Sequence, residues 1–108
     1  MSEDRDDRAP VPLDWIDPVI HAPARLSIVL QLYVVEAMDA TFLVNRTGLT
    51  WGNLSTHLSK LEETGYVEIE KEFRGKKPCT MIRLSKKGRD AFQTYRAGMQ
   101  ETLEELDP

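Results

Sequence analysis

The chain has 108 residues, of which 41% are hydrophobic, and this is enough for one domain with a modest core. It contains a single cysteine, which excludes an internal disulfide, and no run of about 18 apolar residues that could span a membrane. The first eight residues lack the apolar stretch of a signal peptide, so we expect a cytoplasmic protein without a membrane partner.

The net charge of −4 conceals an uneven distribution of charge along the chain. Residues 1–17 carry six acids and two bases, and residues 101–107 carry four acids and no base. Between them, residues 74–89 carry seven lysines and arginines and no acid. Because binding to a polyanion depends on a local basic surface, this segment predicts contact with nucleic acid. The acidic ends are interpreted as solvated tails.

The first 17 residues are predicted to form a flexible charged arm, followed by one domain over residues 18–108. Its residues 1–12 contain two prolines, alternating charges and almost nothing to bury. Asp17-Pro18 and Ala22-Pro23 each place a proline where the first residue of a helix would lie. From Pro23 to about Ala37, apolar residues recur at helical spacing on more than one side. This pattern predicts a helix that is buried centrally or shared with a partner.

A short helix, a glycine turn and a longer helix follow. Asp39 can cap a helix that ends at Thr47, Gly48 supplies the turn, and Thr50 caps a helix that ends before Gly65. At 3.6 residues per turn, three leucines form the buried stripe of the longer helix. They are Leu54, Leu58 and Leu61. This order of elements is typical of a helix-turn-helix.

A β-hairpin and a last helix complete the predicted fold. Residues 66–73 alternate apolar and charged side chains, residues 74–78 combine glycine and proline with three bases, and residues 80–84 alternate again. A two-stranded hairpin with a basic tip, directly after a helix-turn-helix, is a wing. Ser85 can cap a helix that extends to about Leu106 and has one apolar face, which suits pairing with a second copy.

The predicted fold class is therefore α+β and mainly helical: a winged helix-turn-helix with a two-stranded β wing and a C-terminal dimerisation helix over about residues 85–106. The apolar positions of the first and last helices are predicted to pack in the core or between subunits. Those assigned to the dimer interface are Leu26, Leu30, Tyr33, Phe92, Tyr95, Met99, Leu103 and Leu106.

The polar face of the longer helix and the tip of the wing are the candidate DNA-binding surface. Small hydroxyls, an amide and a lysine can contact base edges and phosphates in the major groove, and a glycine allows close approach to the backbone. The candidates are Thr50, Trp51, Gly52, Asn53, Ser55, Thr56, Ser59 and Lys60 on the helix, with Arg74, Lys76 and Lys77 on the wing. An isolated polar face would be an ordinary solvated surface, but the glycine turn and the basic hairpin favour DNA. Lys86 and Lys87, close in sequence, support phosphate contact by the wing.

Three residues have two interpretations each. Trp51 flanks the leucine stripe, so it either covers the edge of the core or contacts DNA, and the core is favoured. His57 flanks the stripe on the other side and is interpreted as a structural histidine rather than a pH sensor. Cys79 is interpreted as a half-buried strand residue rather than a thiol sensor, although neighbouring lysines would favour a thiolate.

The sequence contains no constellation typical of catalysis or metal binding. His21, His57 and Cys79 lack the spacing of metal ligands, and no phosphate-binding glycine loop occurs. We therefore expect neither an enzyme nor a bound metal or cofactor.

Two stretches of the chain resemble compact winged-helix transcriptional regulators of the MarR/ArsR type. Residues 47–58 with residues 60–67 resemble the helix-turn-helix, and residues 73–78 with residues 84–89 resemble the wing and the start of the last helix. The resemblance covers about residues 22–95. The positions that match its DNA contacts are Thr50, Asn53, Ser55, Thr56, Lys60, Arg74, Lys76 and Lys77.

The resemblance implies a homodimer that binds an inverted-repeat operator in double-stranded DNA, with the first and last helices forming the interface. Trp51 departs from the family pattern, where a basic or small residue is more usual. The cysteine and histidine ligands of metal-sensing members are missing, and an unidentified small-molecule effector remains open because the chain is shorter than full MarR proteins.

The predicted function is a dimeric, sequence-specific transcriptional repressor on the nucleoid, because steric occlusion of a promoter requires no activation surface. The alternative is a winged helix that contacts other proteins and does not bind DNA.

Overall fold

The computed structural model describes residues 12–106, which form four helices and a three-stranded antiparallel sheet. In chain order the elements are α1 (Pro23–Tyr33), β1 (Met38–Asp39), α2 (Ala40–Thr47), α3 (Trp51–Thr64), β2 (Val67–Arg74), β3 (Lys77–Leu84) and α4 (Lys86–Glu105). The strand order is β1-β3-β2. The predicted winged helix-turn-helix is therefore confirmed, with one strand more than expected. Among these residues, none of the helices combines the length and apolar character that a membrane crossing requires.

Local hydrogen bonds fix the ends of the three C-terminal helices where the sequence predicted them. The side chains of Asp39, Thr50 and Ser85 accept a backbone N–H from the first turn of α2, α3 and α4, at 2.7, 3.1 and 2.9 Å. Gly48 and Gly65 end α2 and α3 with φ of 74° and 88°, a left-handed conformation that glycine adopts without a Cβ clash.

The first helix is shorter than predicted. α1 begins at Pro23 but ends at Tyr33, whose backbone carbonyl accepts a hydrogen bond from Arg89 Nη1 at 3.0 Å. The chain then turns over residues 34–36, and β1 pairs with β3 through Met38 opposite Ile82. Asp39 must have extended dihedrals to cap α2, so the residues before it cannot continue the helix.

The wing is longer and its turn tighter than predicted. Strands β2 and β3 pair along their full length to a two-residue turn, in which Gly75 has a φ of 66°. Arg74 and Lys77 are therefore paired strand residues rather than loop residues. Pro78 is tolerated in β3 because β1 pairs only with residues 81 and 82, so no described strand covers that edge at residue 78.

The core lies between α1, α2, α3 and the inner face of the sheet, and α4 closes one side. The three leucines of α3 are buried in it, as predicted. Phe92 and Tyr95 of α4 are also buried within the single chain, at 6% and 2% exposure. Both therefore contribute to the core of one protomer, and their assignment to the dimer interface stays a prediction.

Residues 12–22, which we call the N-terminal strap, pack along α4 before α1 begins. The indole of Trp15 meets the Tyr95 ring edge-on at 5.5 Å between centroids, and its Nε1 donates to Thr102 Oγ1 at 3.0 Å. Gly98 makes this approach possible, because a Cβ there would lie 2.2 Å from Trp15 Cγ. The predicted boundary at residue 17 thus falls inside a packed segment, and residues 1–11 of the proposed arm lie outside the described residues.

Asp17 joins the strap to the end of α3. One carboxylate oxygen accepts the N–H groups of Val19 and Ile20 at 2.8 and 3.2 Å, so Asp17 caps a turn rather than the predicted helix. The other oxygen accepts the Tyr66 hydroxyl proton at 2.5 Å. His21 Nδ1 lies 2.8 Å from Tyr95 Oη, which adds a second bond between the strap and the core.

Candidate nucleic-acid interface

The structure exposes all of the candidate residues of α3, most of them opposite the buried leucines and Trp51 on the flank of that face. All eight are exposed: Thr50, Trp51, Gly52, Asn53, Ser55, Thr56, Ser59 and Lys60. Most of these side chains are small, so the surface is shallow and the backbone of the first turns is accessible. The Thr56 hydroxyl donates to the Gly52 carbonyl at 3.0 Å, and its oxygen can still accept a hydrogen bond.

Trp51 lies on this surface and not in the core. Its side chain is 56% exposed at the first position of α3, so the favoured core interpretation is wrong. The rotation of the helix was estimated correctly from the sequence, but no segment of residues 12–106 covers the indole. An exposed tryptophan beside polar and basic residues is typical of a contact surface rather than of a core edge.

The wing places its cations on the same side of the molecule as Trp51. Arg74, Lys76 and Lys77 are all exposed at the tip. A cavity of about 560 Å³, which we call the wing cleft, lies between the wing, the start of α2 and Trp51. Its lining residues are Asp39, Ala40, Thr41, Trp51, Lys71, Arg74, Lys77, Pro78, Cys79 and Thr80.

Lys71 is a candidate that the sequence analysis missed. It lies on β2 opposite Thr80 of β3, on the same side of the strand as Val67 and Ile69. Strand alternation would have placed it on the core side, but the sheet extends beyond the core at this point. Lys71 is therefore exposed and adds a third cation to the wing cleft.

The basic run of residues 74–89 does not form one continuous surface. Only the three residues at the tip project as a group. The others are engaged elsewhere: Arg83 with Glu70, Lys86 with Asp90, Lys87 with the Thr64 carbonyl and Arg89 with the Tyr33 carbonyl. Lys87 thus lies beside the C-terminal end of α3, and the support that Lys86 and Lys87 give to phosphate contact by the wing stays a prediction.

His57 and Cys79 are both half-buried, which agrees with their interpretation as structural residues. His57 is half-buried, with Nδ1 3.4 Å from Arg25 Nη1. Cys79 is a half-buried residue of β3 opposite Glu72. Its presence in the wing cleft was not evident from the sequence, because the cleft is formed by elements distant along the chain.

A second surface runs along the groove between α1 and α4, with a volume of about 510 Å³. Leu26, Leu30, Met99 and Leu103 of the predicted interface line it, together with the buried Phe92 and Tyr95. Leu106 lies beyond the groove and is exposed, and Tyr33 packs on Phe92 at 4.8 Å between ring centroids.

Val34, directly after α1, is a further exposed apolar residue that was missed. It follows Leu26 and Leu30 at intervals of four residues and is 77% exposed. The sequence pattern contained it, but so many apolar residues occur in this segment that the spacing alone could not separate outward from inward positions.

Burial and the Asp17 carboxylate change the acidity of two tyrosines under the strap. Burial first, then the hydrogen bond and the negative charge of Asp17, raise the pKa of Tyr66 to about 12. Burial, followed by the charge of Asp17, also raises the pKa of Tyr95. Both groups therefore remain protonated donors over the physiological range.

A family model described as a winged helix DNA-binding domain matches residues 24–103, which include the helix-turn-helix, the wing and most of α4. The chain belongs to this family. It is also similar to the protein MJ0432 of Methanocaldococcus jannaschii. The two are 38% identical over 77 residues, which cover 71% of this chain and 84% of that protein.

Solved structures share the winged helix fold. A transcriptional regulator homologue from Pyrococcus horikoshii OT3 superposes with a TM-score of 0.80 at 23% identity, covering 85% of this chain and 91% of that chain. MarR superposes with a TM-score of 0.69 at 15% identity, covering 82% of this chain and 64% of its own. The resemblance to the MarR-type fold is therefore confirmed.

Proposed function

We propose that this protein is a dimeric, sequence-specific DNA-binding transcriptional regulator that acts as a repressor. The observation that carries the proposal is the exposed face of α3, which combines small polar side chains with the cationic wing on one side of the molecule. In this arrangement α3 enters the major groove, and residues 74–77 contact the flanking backbone.

The residues of α3 divide into two roles. Asn53 has the amide geometry that pairs with adenine, and the hydroxyls of Ser55 and Thr56 suit either base or phosphate contacts. Gly52 leaves the first turn without a side chain, and no atom outside its own helix lies within 4 Å of where a Cβ would be. Lys60, farther along the helix, supplies a positive charge for a phosphate.

A second copy of the chain covers the groove between α1 and α4 in this proposal. Leu30 and Leu103 are exposed apolar side chains that line it, and monomers rarely leave large apolar surfaces uncovered. A twofold pair would present two copies of α3 to one side of the duplex, which matches an inverted repeat. Repression then requires only that the bound dimer block the promoter.

Selection of bound sequences from a random duplex pool tests this function. We expect an inverted repeat whose half-sites are about 10 base pairs apart from centre to centre. Affinity for the selected site should fall linearly with salt on a double-logarithmic plot. If no sequence is enriched and no duplex binds even at low salt, the DNA-binding function is wrong and a protein-contact module takes its place.

Two variants separate base contacts from backbone contacts. Asn53→Ala should relax the preference at one position of each half-site, at a cost of about 1–3 kcal/mol on the selected sequence. Lys76→Ala combined with Lys77→Ala should weaken binding to selected and random duplexes about equally. A preference that stays unchanged in Asn53→Ala would remove this residue from the base-reading face.

A further inference from the structure

Hydrogen bonds join the strap to α3 at one place within the helix and at one place just beyond its end. The link within the helix is made by Arg25, near the start of α1, whose guanidinium lies between the strap and the middle of α3. We infer that Arg25 is a positioning residue for α3: it fixes the rotation of the helix about its axis, and so the aim of the base-reading side chains, without touching DNA itself. The inference rests on the proposed function and deepens it by naming what orients the DNA-binding helix.

Three contacts of the Arg25 guanidinium carry the inference. Its Nε donates to the Val19 carbonyl at 2.6 Å and its Nη2 to the Pro18 carbonyl at 3.4 Å, and these bonds attach the group to the strap. Its Nη1 lies 3.4 Å from Nδ1 of His57, a residue in the middle of α3. Because a guanidinium has donors and no acceptor, Nδ1 is the acceptor of this pair. One planar group thus connects the strap to α3.

The turn of the strap that Arg25 binds is itself held in place. One oxygen of the Asp17 carboxylate accepts the N–H groups of Val19 and Ile20, and the other accepts the hydroxyl proton of Tyr66. Asp17 therefore binds the N–H groups of the turn, whereas Arg25 binds its carbonyl groups. Tyr66 comes directly after the glycine that ends α3, so the same turn is connected to the middle of α3 and to its C-terminal end. Two attachments that are separated along a helix restrict both its rotation and its tilt.

These polar contacts determine the rotation of α3 more strictly than its apolar packing does. The buried face of the helix consists of three leucines, and the burial of apolar surface is non-directional. A hydrogen bond weakens steeply away from its preferred angle, so it favours one rotation. His57 lies four residues after Asn53 and three before Lys60, and residues at these spacings are neighbours on a helix surface. The attachment is therefore next to the candidates for base and phosphate contact.

Substitution of Arg25 by lysine separates geometry from charge. Arg25→Lys keeps the positive charge, but a single ammonium lacks the planar fork of donors that reaches the strap and His57 together. We expect affinity for the selected site to fall about tenfold, which is the size of one lost base contact. Affinity for random duplexes and its salt dependence should stay at the wild-type values. The anisotropy of fluorescein-labelled duplexes measures both affinities, and a wild-type affinity for the selected site in Arg25→Lys would overturn the inference.

The acceptor on α3 allows a test by conservative replacement. His57→Asn places an amide oxygen near the position of Nδ1, whereas His57→Phe keeps a ring without an acceptor, and the helix propensities of the three residues are similar. We expect His57→Asn to keep most of the preference for the selected site and His57→Phe to lose as much as Arg25→Lys. The double variant Arg25→Lys with His57→Phe should lose no more than either single variant, because both remove the same contact. Additive losses would mean that the two residues act independently, which contradicts the inference.

Arg89 offers a matched control within the same fold. It is also half-buried and also binds a backbone carbonyl, that of Tyr33 at the end of α1, at 3.0 Å. Arg89→Lys should lower the free energy of unfolding in urea, as Arg25→Lys should, but leave the ratio of affinities for selected and random duplexes unchanged. If this ratio falls as far in Arg89→Lys as in Arg25→Lys, the preference follows overall stability and Arg25 has no positioning role.

Failure of the inference and failure of the proposed function give different results. If the wild-type protein prefers the selected site and the variants at Arg25 and His57 keep that preference, the inference is wrong and the regulator function stands. If the wild-type protein itself binds no duplex, the proposed function is wrong, and a role of Arg25 in DNA recognition is wrong with it.

Discussion

Two glycines in helices show how strongly the effect of one atom depends on its surroundings. Gly52 of α3 has nothing within 4 Å of the place that an added methyl group would take, whereas at Gly98 of α4 the same atom would lie 2.2 Å from the ring of Trp15. Neither glycine has a positive φ, so backbone conformation does not require either of them. A side chain at position 98 would collide with Trp15, which explains the glycine there. At position 52 there is room for a side chain, and we attribute this glycine to the proposed close approach of α3 to DNA.

The same substitution at these positions should have opposite effects on stability. Gly52→Ala should raise the free energy of unfolding by about 0.5–1 kcal/mol, because alanine has the higher helix propensity and meets no neighbour. Gly98→Ala should lower it by about 1–3 kcal/mol, because Trp15 must leave its site. Urea unfolding followed by circular dichroism measures both.

DNA affinity provides the second measurement for this pair. Gly52→Ala should bind DNA more weakly despite its greater stability, since its methyl group occupies the closest approach of α3 to the duplex. An affinity equal to that of the wild-type protein would place Gly52 away from the DNA.

The sequence predicted the roles of residues whose contacts lie within a few positions along the chain. Thr50 and Ser85 cap their helices as expected because an N-cap bonds within its own first turn. Trp51 and Lys71 were not predictable in the same way. Whether a side chain on the flank of a helix or the end of a strand is covered depends on segments far along the chain, and periodicity carries no information about them.

At the scale of elements, the strap is the feature that connects distant parts of the fold. Asp17 reaches Tyr66 just after α3, and Trp15 reaches Thr102 near the end of α4. The strap therefore holds the last helix against the body that carries the recognition helix. It was missed because its packing depends on one indole and on the absence of a side chain at Gly98, which lies far along the chain.

The burial of Tyr66 and its bond to Asp17 together predict a loss of stability at high pH. Because the pKa of Tyr66 rises from its ordinary value of 10.0 to about 12, the folded state favours the protonated phenol. This contribution is complete below pH 10 and is lost as the pH rises through about 12. The difference in unfolding free energy between the wild-type protein and Tyr66→Phe should shrink over this interval.

The variant Asp17→Asn serves as the control for this prediction. It removes the charge but leaves the burial of Tyr66, which is the largest cause of the shift. Ultraviolet titration of the phenolate should therefore give a pKa between those of an exposed tyrosine and the wild-type residue. A difference between wild-type and Tyr66→Phe that is independent of pH would show that the bond contributes nothing to folding.

Periodicity predicted the helices and the hairpin well, because each is long enough to show its repeat. The strand β1 has only two residues, and two residues show no alternation. Its partner, β3, lies beyond the helix-turn-helix in sequence, so no local signal joins them. The extra strand nevertheless anchors the base of the wing to the start of α2.

At the scale of the whole molecule, the groove between α1 and α4 decides the proposed assembly. Leu103 is 58% exposed on this groove, and Phe42 is 52% exposed on α2, outside the groove lining. The two side chains are both apolar and similarly exposed, but only Leu103 lies on the groove. They form a matched pair for testing where a second copy binds.

Leu103→Glu should convert the dimer to a monomer, because two carboxylates would be buried at the proposed interface without partners. Phe42→Glu should remain dimeric. Sedimentation at micromolar concentration measures the mass of each variant, and weaker DNA binding should accompany the loss of the dimer. A wild-type protein that sediments as a monomer would contradict the assembly, although the DNA-binding surface of α3 would remain.

The packing of the strap has a consequence for how many copies can associate. On a helical projection of α4, the residues beside the strap and those lining the groove lie on opposite sides. On the strap side, Trp15 occupies the space at Gly98 and Thr102, and the apolar groove lies on the other side. A twofold contact through that groove uses the same surface on both copies. The proposed assembly therefore closes at two copies and does not pass the contact on to a third.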